Sequence, residues 1–297
     1  MSKIFYLCIM KQLICDSGGT KSSWILTDDS QAVAKFDTEG MNPAVSAHEH
    51  IESVISTLPE YLKEHSYNIN KVWFYGAGCV NDGAAALAKM LTRVLPGAEI
   101  SVNSDMLGAA RALCQSNEGI ACILGTGANS CYYDGKRIRQ NTPALGYILG
   151  DEGGGAALGK TLINSIYKGV FPARLKQTFE EEMHTDMATI IENVYRKPFA
   201  NRYLASFTHF LSAHRDEPCI HDMLTQSFRQ FFERNIKPYD RPDLSVSFVG
   251  SLAYHFEDEL REAASDMTFH IGQIIQNPID HLAQFHTKYV SERIDFP

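Results

Sequence analysis

Long apolar runs are scarce in this sequence, and no export signal stands out. No segment reaches the ~18 consecutive apolar residues that a membrane-spanning helix needs. Residues 1–9 lack a small-residue cleavage site, so they make a poor signal peptide. We interpret Met10 as an alternative start and residues 1–9 as an extension without a catalytic role. We therefore expect a protein with no membrane partner.

Basic residues are also in the minority. The chain has 27 Lys and Arg against 35 Asp and Glu, which gives a net charge of −8. Nucleic-acid-binding proteins usually carry a basic patch, and anionic membrane surfaces are recognised by runs of Lys and Arg. The acidic balance therefore argues against a nucleic acid as the main partner.

Cysteines at metal-binding or redox spacing are missing as well. The seven cysteines are odd in number, no pair has CxxC spacing, and most fall in apolar stretches. Disulfide frameworks, zinc sites and iron–sulfur clusters require more regular spacings. We expect buried thiols in a reducing compartment, and so a cytoplasmic protein.

What the sequence does have is a pattern of alternating strands and helices. Its 297 residues are enough for about two domains at ~150 residues each. Apolar runs predict strands over 12–15, 23–27, 72–75 and 100–102, and helical spacing predicts helices over 46–64, 82–94 and 105–114. The pattern restarts with strands over 120–124 and 130–133. This order predicts an α/β fold with a first domain over 1–115 and a second over 116–297.

The second domain is predicted to contain a helical region over about 155–236, followed by a strand over 244–249. Thr185 is predicted to cap the helix that contains Ile190 and Val194. A last helix is predicted over 278–289, and packing of this helix on the first domain stays open.

Glycine-rich turns follow four of the predicted strands, and glycine lets backbone N–H groups approach an anion closely. Thr20, Thr126 and Ser130 add hydroxyl donors, and Asp16 is placed to hold a magnesium ion or its water. The strand–turn–strand element occurs twice, which favours a duplicated domain and common glycine turns equally. The turns are Gly18-Gly19, Gly76-Ala77-Gly78, Gly125-Thr126-Gly127 and Gly250.

A Walker A pattern at 154–161 is interpreted as a coincidence. The string Gly154 to Thr161 fits GxxxxGK[ST], but Asp151 and Glu152 precede it where a phosphate would be repelled. Apolar residues run at helical spacing straight through the supposed loop. We therefore predict a helix with glycines at its N-terminus here.

Three polar residues have a plain and a functional interpretation. Asp105 follows a strand and opens a helix, so it is either a helix-terminal acid or a general base at the carboxyl end of a strand. Asn42 precedes a proline and Asp151 precedes a helix, and each is more simply a turn or capping residue when taken alone.

Taken together, six short strings resemble the N-acetylglucosamine kinase family and the related activator ATPases of 2-hydroxyacyl-CoA dehydratases, within the actin-like sugar kinases. The resemblance spans the chain from Asp16 to about His286. Their order and spacing are specific although each string alone is weak. The strings are Asp16-Ser17-Gly18-Gly19-Thr20-Lys21, Gly40-Met41-Asn42-Pro43, Ser104-Asp105, Gly125-Thr126-Gly127-Ala128-Asn129-Ser130, Gly150-Asp151-Glu152-Gly153 and Val249-Gly250-Ser251.

The resemblance implies two ribonuclease H-like domains around a central cleft, with ATP and Mg2+ as cofactors. It implies that Asp16 organises the magnesium and that Asp105 takes the proton from the C6 hydroxyl of an amino sugar. Phosphate and nucleotide contacts would come from Gly18, Gly19, Thr20, Lys21, Gly125, Thr126, Gly127, Gly250 and Ser251. Sugar contacts would come from Asn42, Gly78, Asp105, Gly146 and Asp151.

The sequence departs from the family in three places. Ala144-Leu145 stands where amino-sugar kinases often carry Gly-Trp, Ser206 stands where a nucleotide-contacting glycine can occur, and a C-terminal Gly-Ala motif is missing. The leading expectation is an ATP-dependent amino-sugar kinase. An activator-type ATPase and a non-catalytic sugar sensor are the alternatives, and a homodimer stays open as its assembly.

Overall fold

Strands and helices alternate along the chain, and the α/β prediction is confirmed. The computed structural model describes residues 10–28, 31–63 and 68–294. It divides into two units. The first contains the described residues up to Ser116 and those from Pro278 onward, and the second runs from Asn117 to Asn277. Residues 1–9, which we interpret as an extension, lie outside the described residues.

The first unit is built on a sheet in the order β3-β2-β1-β4-β5. The central strand β1 buries Leu13, Ile14 and Cys15 in succession because it lies between β2 and β4 and helices pack on both faces of the sheet. The elements are β1 (Lys11–Ser17), β2 (Lys21–Asp28), β3 (Gln31–Glu39), α1 (His48–Ser56), α2 (Leu58–Lys63), β4 (Lys71–Gly76), α3 (Asn81–Val94), β5 (Glu99–Ser104) and α4 (Asp105–Cys114).

The second unit has a sheet in the order β10-β9-β6-β7-β8, with a helical region between β8 and β9. A π-helical turn at Phe232–Ile236 and a 3-10 turn at Lys237–Tyr239 close that region. The elements are β6 (Glu118–Leu124), β7 (Ala128–Asp134), β8 (Ile138–Thr142), α5 (Gly146–Leu149), α6 (Gly155–Tyr167), α7 (Ala173–Glu182), α8 (Met187–Tyr195), α9 (Ala200–Ser206), α10 (Thr208–Ala213), α11 (Pro218–Phe231), β9 (Val246–Val249), α12 (Ser251–His255), α13 (Glu257–Asp266) and β10 (Ile271–Ile275).

The two sheets share one topology. In each, the first three strands form an antiparallel meander, and the last two strands add in parallel on the other side of the first strand. Among the described strands, each sheet has five. The repeated strand–turn–strand element of the sequence therefore reflects a repeated sheet architecture.

The last helix, α14 (Ile279–Ile294), belongs to the first unit. The side-chain amide of Gln115, just after α4, donates to the backbone carbonyl of His281 at 3.1 Å. Lys35 of β3 forms an ion pair with Asp280. The last helix thus packs on the first unit, and the second unit ends at Asn277 rather than at residue 297, the boundary predicted from the sequence.

Three other details differ from the sequence-based expectations. The helix predicted over 46–64 is divided into α1 and α2 at Thr57. Thr185 does not cap α8, because the side chain of Asp186 accepts the N–H of Thr189 at 2.7 Å. Thr185 is instead buried with its hydroxyl 3.1 Å from the Tyr203 hydroxyl. The edge strands β3, β8 and β10 were not predicted.

Each unit has its own apolar core. In the first, residues of β1, β2 and β4 pack with α1 to α3, and in the second β6 and β9 pack with α6 to α13. Cys15, Cys79 and Cys114 are buried thiols of the first unit, as expected. No helix in the part of the chain that the structure describes is long and apolar enough to cross a bilayer.

Candidate functional site

In the first unit, the carboxyl ends of three parallel strands bring polar side chains together. The register pairs Asp16 of β1 with Tyr75 of β4, and Tyr75 with Asn103 of β5. Residues paired in parallel strands point to the same face, so these three form one polar row across the sheet. Asp105 begins α4 directly after β5. The carboxyl edge of such a sheet is the usual place for ligands in α/β proteins.

Asp105 is not the capping residue of its helix. The Ser104 hydroxyl caps α4 by accepting the N–H of Leu107 at 3.3 Å. The Asp105 carboxylate accepts the N–H of the next residue, Met106, at 2.8 Å. Because Ser104 performs the structural role, the carboxylate of Asp105 is available for chemistry.

The pKa values of Asp16 and Asp105 are both raised. Burial, and then the nearby charge of Asp105, raises the pKa of Asp16 to about 7. Burial also raises the pKa of Asp105, although backbone N–H groups partly offset this effect. Among the residues that the structure describes, neither carboxylate forms an ion pair. The pair is therefore a concentration of negative charge that a cation would stabilise.

The donor set fits a hydrated magnesium ion better than a fully protein-ligated metal. No group of three or more His, Cys, Asp or Glu side chains that could hold a metal occurs within the described residues. Mg2+ commonly binds through one or two carboxylates together with substrate phosphates and water. Asp16, with its unneutralised charge, meets that requirement.

The glycine-rich turn between β1 and β2 rests on Gly40. A Cβ atom at Gly40 would lie 2.5 Å from the Thr20 nitrogen and 2.6 Å from the backbone of Gly18 and Gly19. The Gly40 N–H donates to the Thr20 carbonyl at 3.0 Å. Gly18, Gly19 and Thr20 are exposed, so the turn presents its backbone to solvent. Only glycine at position 40 allows this close support.

The buried Ser17 joins this turn to the segment that carries Asn42. Its hydroxyl lies 2.7 Å from the Ser22 hydroxyl and 2.9 Å from the Met41 carbonyl, and it accepts the Met41 N–H at 3.1 Å. Asn42 follows immediately, and its side-chain oxygen would lie 2.1 Å from a Cβ at Gly78. Gly78, with φ of +72°, thus leaves room for the Asn42 side chain. The structure brings these two predicted sugar-binding residues together.

Lys21 points to a neighbouring strand. Its ammonium pairs with Asp37 of β3 at 3.0 Å, and both side chains are more than half exposed. The Ser23 hydroxyl also donates to Asp37 at 2.8 Å, and these contacts lower the pKa of Asp37. The predicted phosphate contact of Lys21 stays a prediction.

In the second unit, the Gly125–Gly127 turn is held by the start of α6. The N–H groups of Gly155 and Ala156 donate to the carbonyls of Gly125 and Thr126 at 2.8 and 2.9 Å. These are the N–H groups that a phosphate at this helix terminus would need. The helix also begins before Lys160 and continues past Thr161. The interpretation of 154–161 as a helix rather than a phosphate-binding loop is confirmed.

Asp151 supports the same turn. A Cβ at Gly127 would lie 2.7 Å from a carboxylate oxygen of Asp151, and a Cβ at Gly154 would lie 2.7 Å from the Gly127 carbonyl carbon. The Asp151 carboxylate also accepts a backbone hydrogen bond from Ala128, which partly offsets the rise in its pKa caused by burial. Asp151 therefore contacts the turn that was predicted to bind phosphate.

Other predicted residues of the second unit surround this turn or lie beside it. A Cβ at Gly250, with φ of +127°, would lie 2.1 Å from the Leu124 carbonyl, so Gly250 adjoins the start of the turn and Ser251 opens α12. Gly146 opens the four-residue α5, and its carbonyl accepts the N–H of Gly150 at 2.8 Å. Ser130 is buried and its hydroxyl bonds to Tyr239 and Asn235, so its prediction as a phosphate donor is wrong.

Sequence reasoning missed Gly40 and Cys79 as parts of the first-unit site. Gly40 lay within a matched string, yet its contact with the turn depends on β3, which was not predicted. The buried Cys79 follows Gly78, and burial together with the charge of Asp105 raises the pKa of its thiol to about 12. The sequence signals for these two residues are weak: Gly40 is a glycine before Met41-Asn42-Pro43, and Cys79 directly follows the glycine-rich turn at 76–78.

No protein-family model matches the chain, and a search of curated proteins found no match. Solved structures do match. A protein from Porphyromonas gingivalis, provisionally named an N-acetylglucosamine kinase, is 42% identical over 93% of this chain and 98% of its own, with a TM-score of 0.90. A protein of the same provisional name from Chromobacterium violaceum is 19% identical over 95% of this chain and 99% of its own, with a TM-score of 0.72.

A more distant match is a ROK hexokinase from Thermus thermophilus. It is 13% identical over 96% of this chain and 100% of its own, with a TM-score of 0.57. At identities below 20%, the second and third matches show a shared fold. The first match, with 42% identity over nearly the whole of both chains, shows that the two proteins are members of one family.

Proposed function

Because this chain belongs to the N-acetylglucosamine kinase family, within the actin-like sugar kinases, we propose that it transfers the γ-phosphate of ATP to an amino sugar such as N-acetylglucosamine, at the C6 hydroxyl. The observation that carries the proposal is the Asp16–Asp105 pair, with both pKa values raised and no neutralising cation among the described residues. Phosphoryl transfer requires a positioned base and a cation more than it requires covalent chemistry.

Asp105 is the proposed general base. Its carboxylate is partly buried, is free of a capping role, and has a raised pKa, which makes it a stronger proton acceptor than an ordinary aspartate. It would take the proton of the sugar hydroxyl as that oxygen bonds to the γ-phosphorus. The bond from the γ-phosphorus to the bridging oxygen breaks, and ADP leaves with that oxygen.

Asp16 would hold the magnesium ion, which supplies charge neutralisation to the phosphates when bound. The exposed turn from Gly18 to Thr20 is proposed to contact phosphate oxygens, with the Gly18 N–H already donating to the Lys21 carbonyl at 2.9 Å. The Gly125–Gly127 turn of the second unit, which Asp151 and Gly154 support, is also proposed to contact the nucleotide. Gly250 and Ser251 are proposed to border the nucleoside.

Asn42 and Gly78 are proposed to bind the sugar. The Asn42 side-chain oxygen accepts the N–H of Ala44 at 3.0 Å, which fixes the orientation of the amide. The amide NH2 is then directed away from that turn and can donate to a hydroxyl. Gly146, beside the departure at Ala144-Leu145, lies in the segment that we propose sets the preference among amino sugars.

The test is identification of the product by 31P NMR. Purified protein is incubated with Mg-ATP and N-acetylglucosamine, and in parallel with its 6-deoxy analogue. We expect a new phosphomonoester signal coupled to the C6 protons with the first sugar and none with the second. A phosphoester at another carbon would contradict the C6 assignment. Release of inorganic phosphate alone would favour the activator-type ATPase, and bound sugar without turnover would favour a sensor.

A further inference from the structure

Tyr75 is a fully buried residue that the reaction itself does not use. It lies on β4 in the polar row, between Asp16 and Asn103, and its relative exposure is 0%. A tyrosine in such a position needs a hydrogen-bond partner for its hydroxyl. Its contacts at both ends of the ring involve the helix that begins with Asp105.

The base of the Tyr75 ring touches α4 at Gly108. A Cβ at Gly108 would lie 2.9 Å from the Tyr75 Cβ, 3.0 Å from its Cγ and 3.1 Å from its Cδ1. Gly108 is three residues after Asp105, so both lie on one face of α4, one turn apart. The helix therefore approaches the sheet at its closest one turn behind the proposed base.

The hydroxyl of Tyr75 fixes the next turn of α4 and the last helix. Arg111 Nη1 donates to the Tyr75 oxygen at 2.6 Å, and His286 Nε2 lies 2.9 Å from the same oxygen. Because a guanidinium only donates, the hydroxyl proton points to His286, whose ring nitrogen accepts it. His286 also stacks on Trp73 with ring centroids 4.2 Å apart. One buried hydroxyl thus joins β4, α4 and α14.

We propose that Tyr75 is a positioning residue that sets the distance between Asp105 and Asp16 through its contacts with Gly108 and Arg111. It fixes α4 on the sheet at two successive turns, while Asp16 is its direct neighbour on β1. The proposal rests on the proposed function of Asp105 as the base. His286 of the last helix packs behind this arrangement through its contact with the Tyr75 hydroxyl.

The test uses Gly108→Ala and Tyr75→Phe. Gly108→Ala forces α4 away from the sheet by a few tenths of an ångström, and Tyr75→Phe removes the hydroxyl but keeps the ring. Misplacement on this scale reduces a positioned reaction by roughly 5- to 50-fold. We expect that loss in kcat for both variants, with the KM for ATP unchanged.

Tyr203→Phe is the matched control, because it removes a tyrosine hydroxyl bonded to Thr185 in the other unit. Its kcat should stay within twofold of that of the parent protein. A kcat loss equal to that of Tyr75→Phe would show a general structural effect and would overturn the proposal.

A double-mutant cycle separates positioning from folding. In the Asp105→Asn background, Gly108→Ala should reduce kcat no further, because the group that it misplaces is already absent. A full additional loss would contradict the proposal. A crystal structure of Gly108→Ala provides a readout that does not need activity. We expect Asp105 to move relative to Asp16, and unchanged positions would overturn the inference even if no sugar is phosphorylated.

Discussion

The two sheets repeat one topology, and one row of residues near the carboxyl ends of their parallel strands differs in polarity. In the first unit, the row is Asp16, Tyr75 and Asn103. The corresponding row of the second sheet pairs Ile123 with Val249 and Val249 with Ile275. The architecture therefore tolerates either a polar or an apolar row at this level. The polar row is not required by the fold, and its cost in burying a carboxylate is evidence of a function in the first unit.

The glycine-rich turns show the opposite relationship, because both units support their turn in the same way. In the first unit the turn rests on Gly40, and in the second it rests on Gly154. At each position a Cβ would lie within 2.7 Å of turn backbone atoms. The supported turn is therefore common to both units, whereas the polar row, among the strands that the structure describes, occurs in the first unit alone.

The largest expected effect is at Asp105, which begins α4 directly after β5. Asp105→Asn should lower kcat by at least about a hundredfold, since a positioned base contributes ~10²–10⁴, while ATP binding stays close to normal. The control is Asp82→Asn, because Asp82 occupies the first turn of α3 as Asp105 does in α4, and it is exposed. Steady-state rates and ATP titration calorimetry measure both. A near-normal kcat for Asp105→Asn would remove the base from the mechanism.

A smaller effect is expected at the two supporting glycines. Gly40→Ala and Gly154→Ala each press a methyl group against turn backbone, so both should raise the KM for ATP by about tenfold. Gly97→Ala is the control, because Gly97 has a φ of +93° but a Cβ there meets nothing within 4 Å, so this variant strains its own backbone without pressing on either turn. Initial rates at varied ATP test this. If only one of the two variants affects ATP, the turns do not share a role.

The buried carboxylate of Asp16 in the polar row also predicts that the stability of the protein depends on pH. The pKa of Asp16 is about 7 in the folded protein against an ordinary value of 3.8. A raised pKa contributes stability that is present below about pH 4 and is lost as the pH rises through 7. Asp16→Asn, which stays neutral, should therefore raise the melting temperature by several degrees at pH 8 and by less at pH 5. The gain corresponds to at most about 4 kcal/mol, at ~1.4 for each pKa unit.

Differential scanning calorimetry at the two pH values measures this, with Asp82→Asn as a variant that should show no such difference. An equal gain at both pH values would mean that charge burial is not its cause. The same substitution should abolish magnesium-dependent turnover, so stability and activity would change in opposite directions.

The smallest effect is expected at Lys21. Its ammonium already pairs with Asp37 on the exposed face of β3, and such a surface pair contributes at most about 1 kcal/mol. Lys21→Gln should therefore change the KM for ATP by no more than about threefold. Kinetics at low and high salt test it. A tenfold increase would show that Lys21 leaves Asp37 to bind phosphate.

The sequence predicted the elements whose pattern is local. The strand and helix that meet at Ser104 and Asp105, and the helix through the Walker-like string, follow from apolar periodicity and turn residues. The edge strands β3, β8 and β10 could not be predicted, because they are half exposed and their apolar and polar residues alternate only weakly. Thr185 and Asp186 are both good capping residues, so the sequence does not show which of them caps α8, and only the backbone geometry distinguishes them.

Contacts between distant segments could not be predicted. That Gly40 supports the turn at Gly18, that Asp151 touches Gly127, and that His286 bonds to Tyr75 all depend on the folded chain. The individual residues were visible as glycines, acids and a histidine, but their partners lie up to 211 positions away. Long-range pairing of this kind has no signature in a single sequence.

We propose above all that Asp105 and the polar row of the first unit serve a sugar-dependent phosphoryl transfer. It is tested most directly by ADP release from saturating Mg-ATP, measured with and without N-acetylglucosamine. The account predicts that the sugar accelerates ADP release by at least about a hundredfold, the lower limit expected of a positioned base. Release at the same rate without any sugar would contradict it.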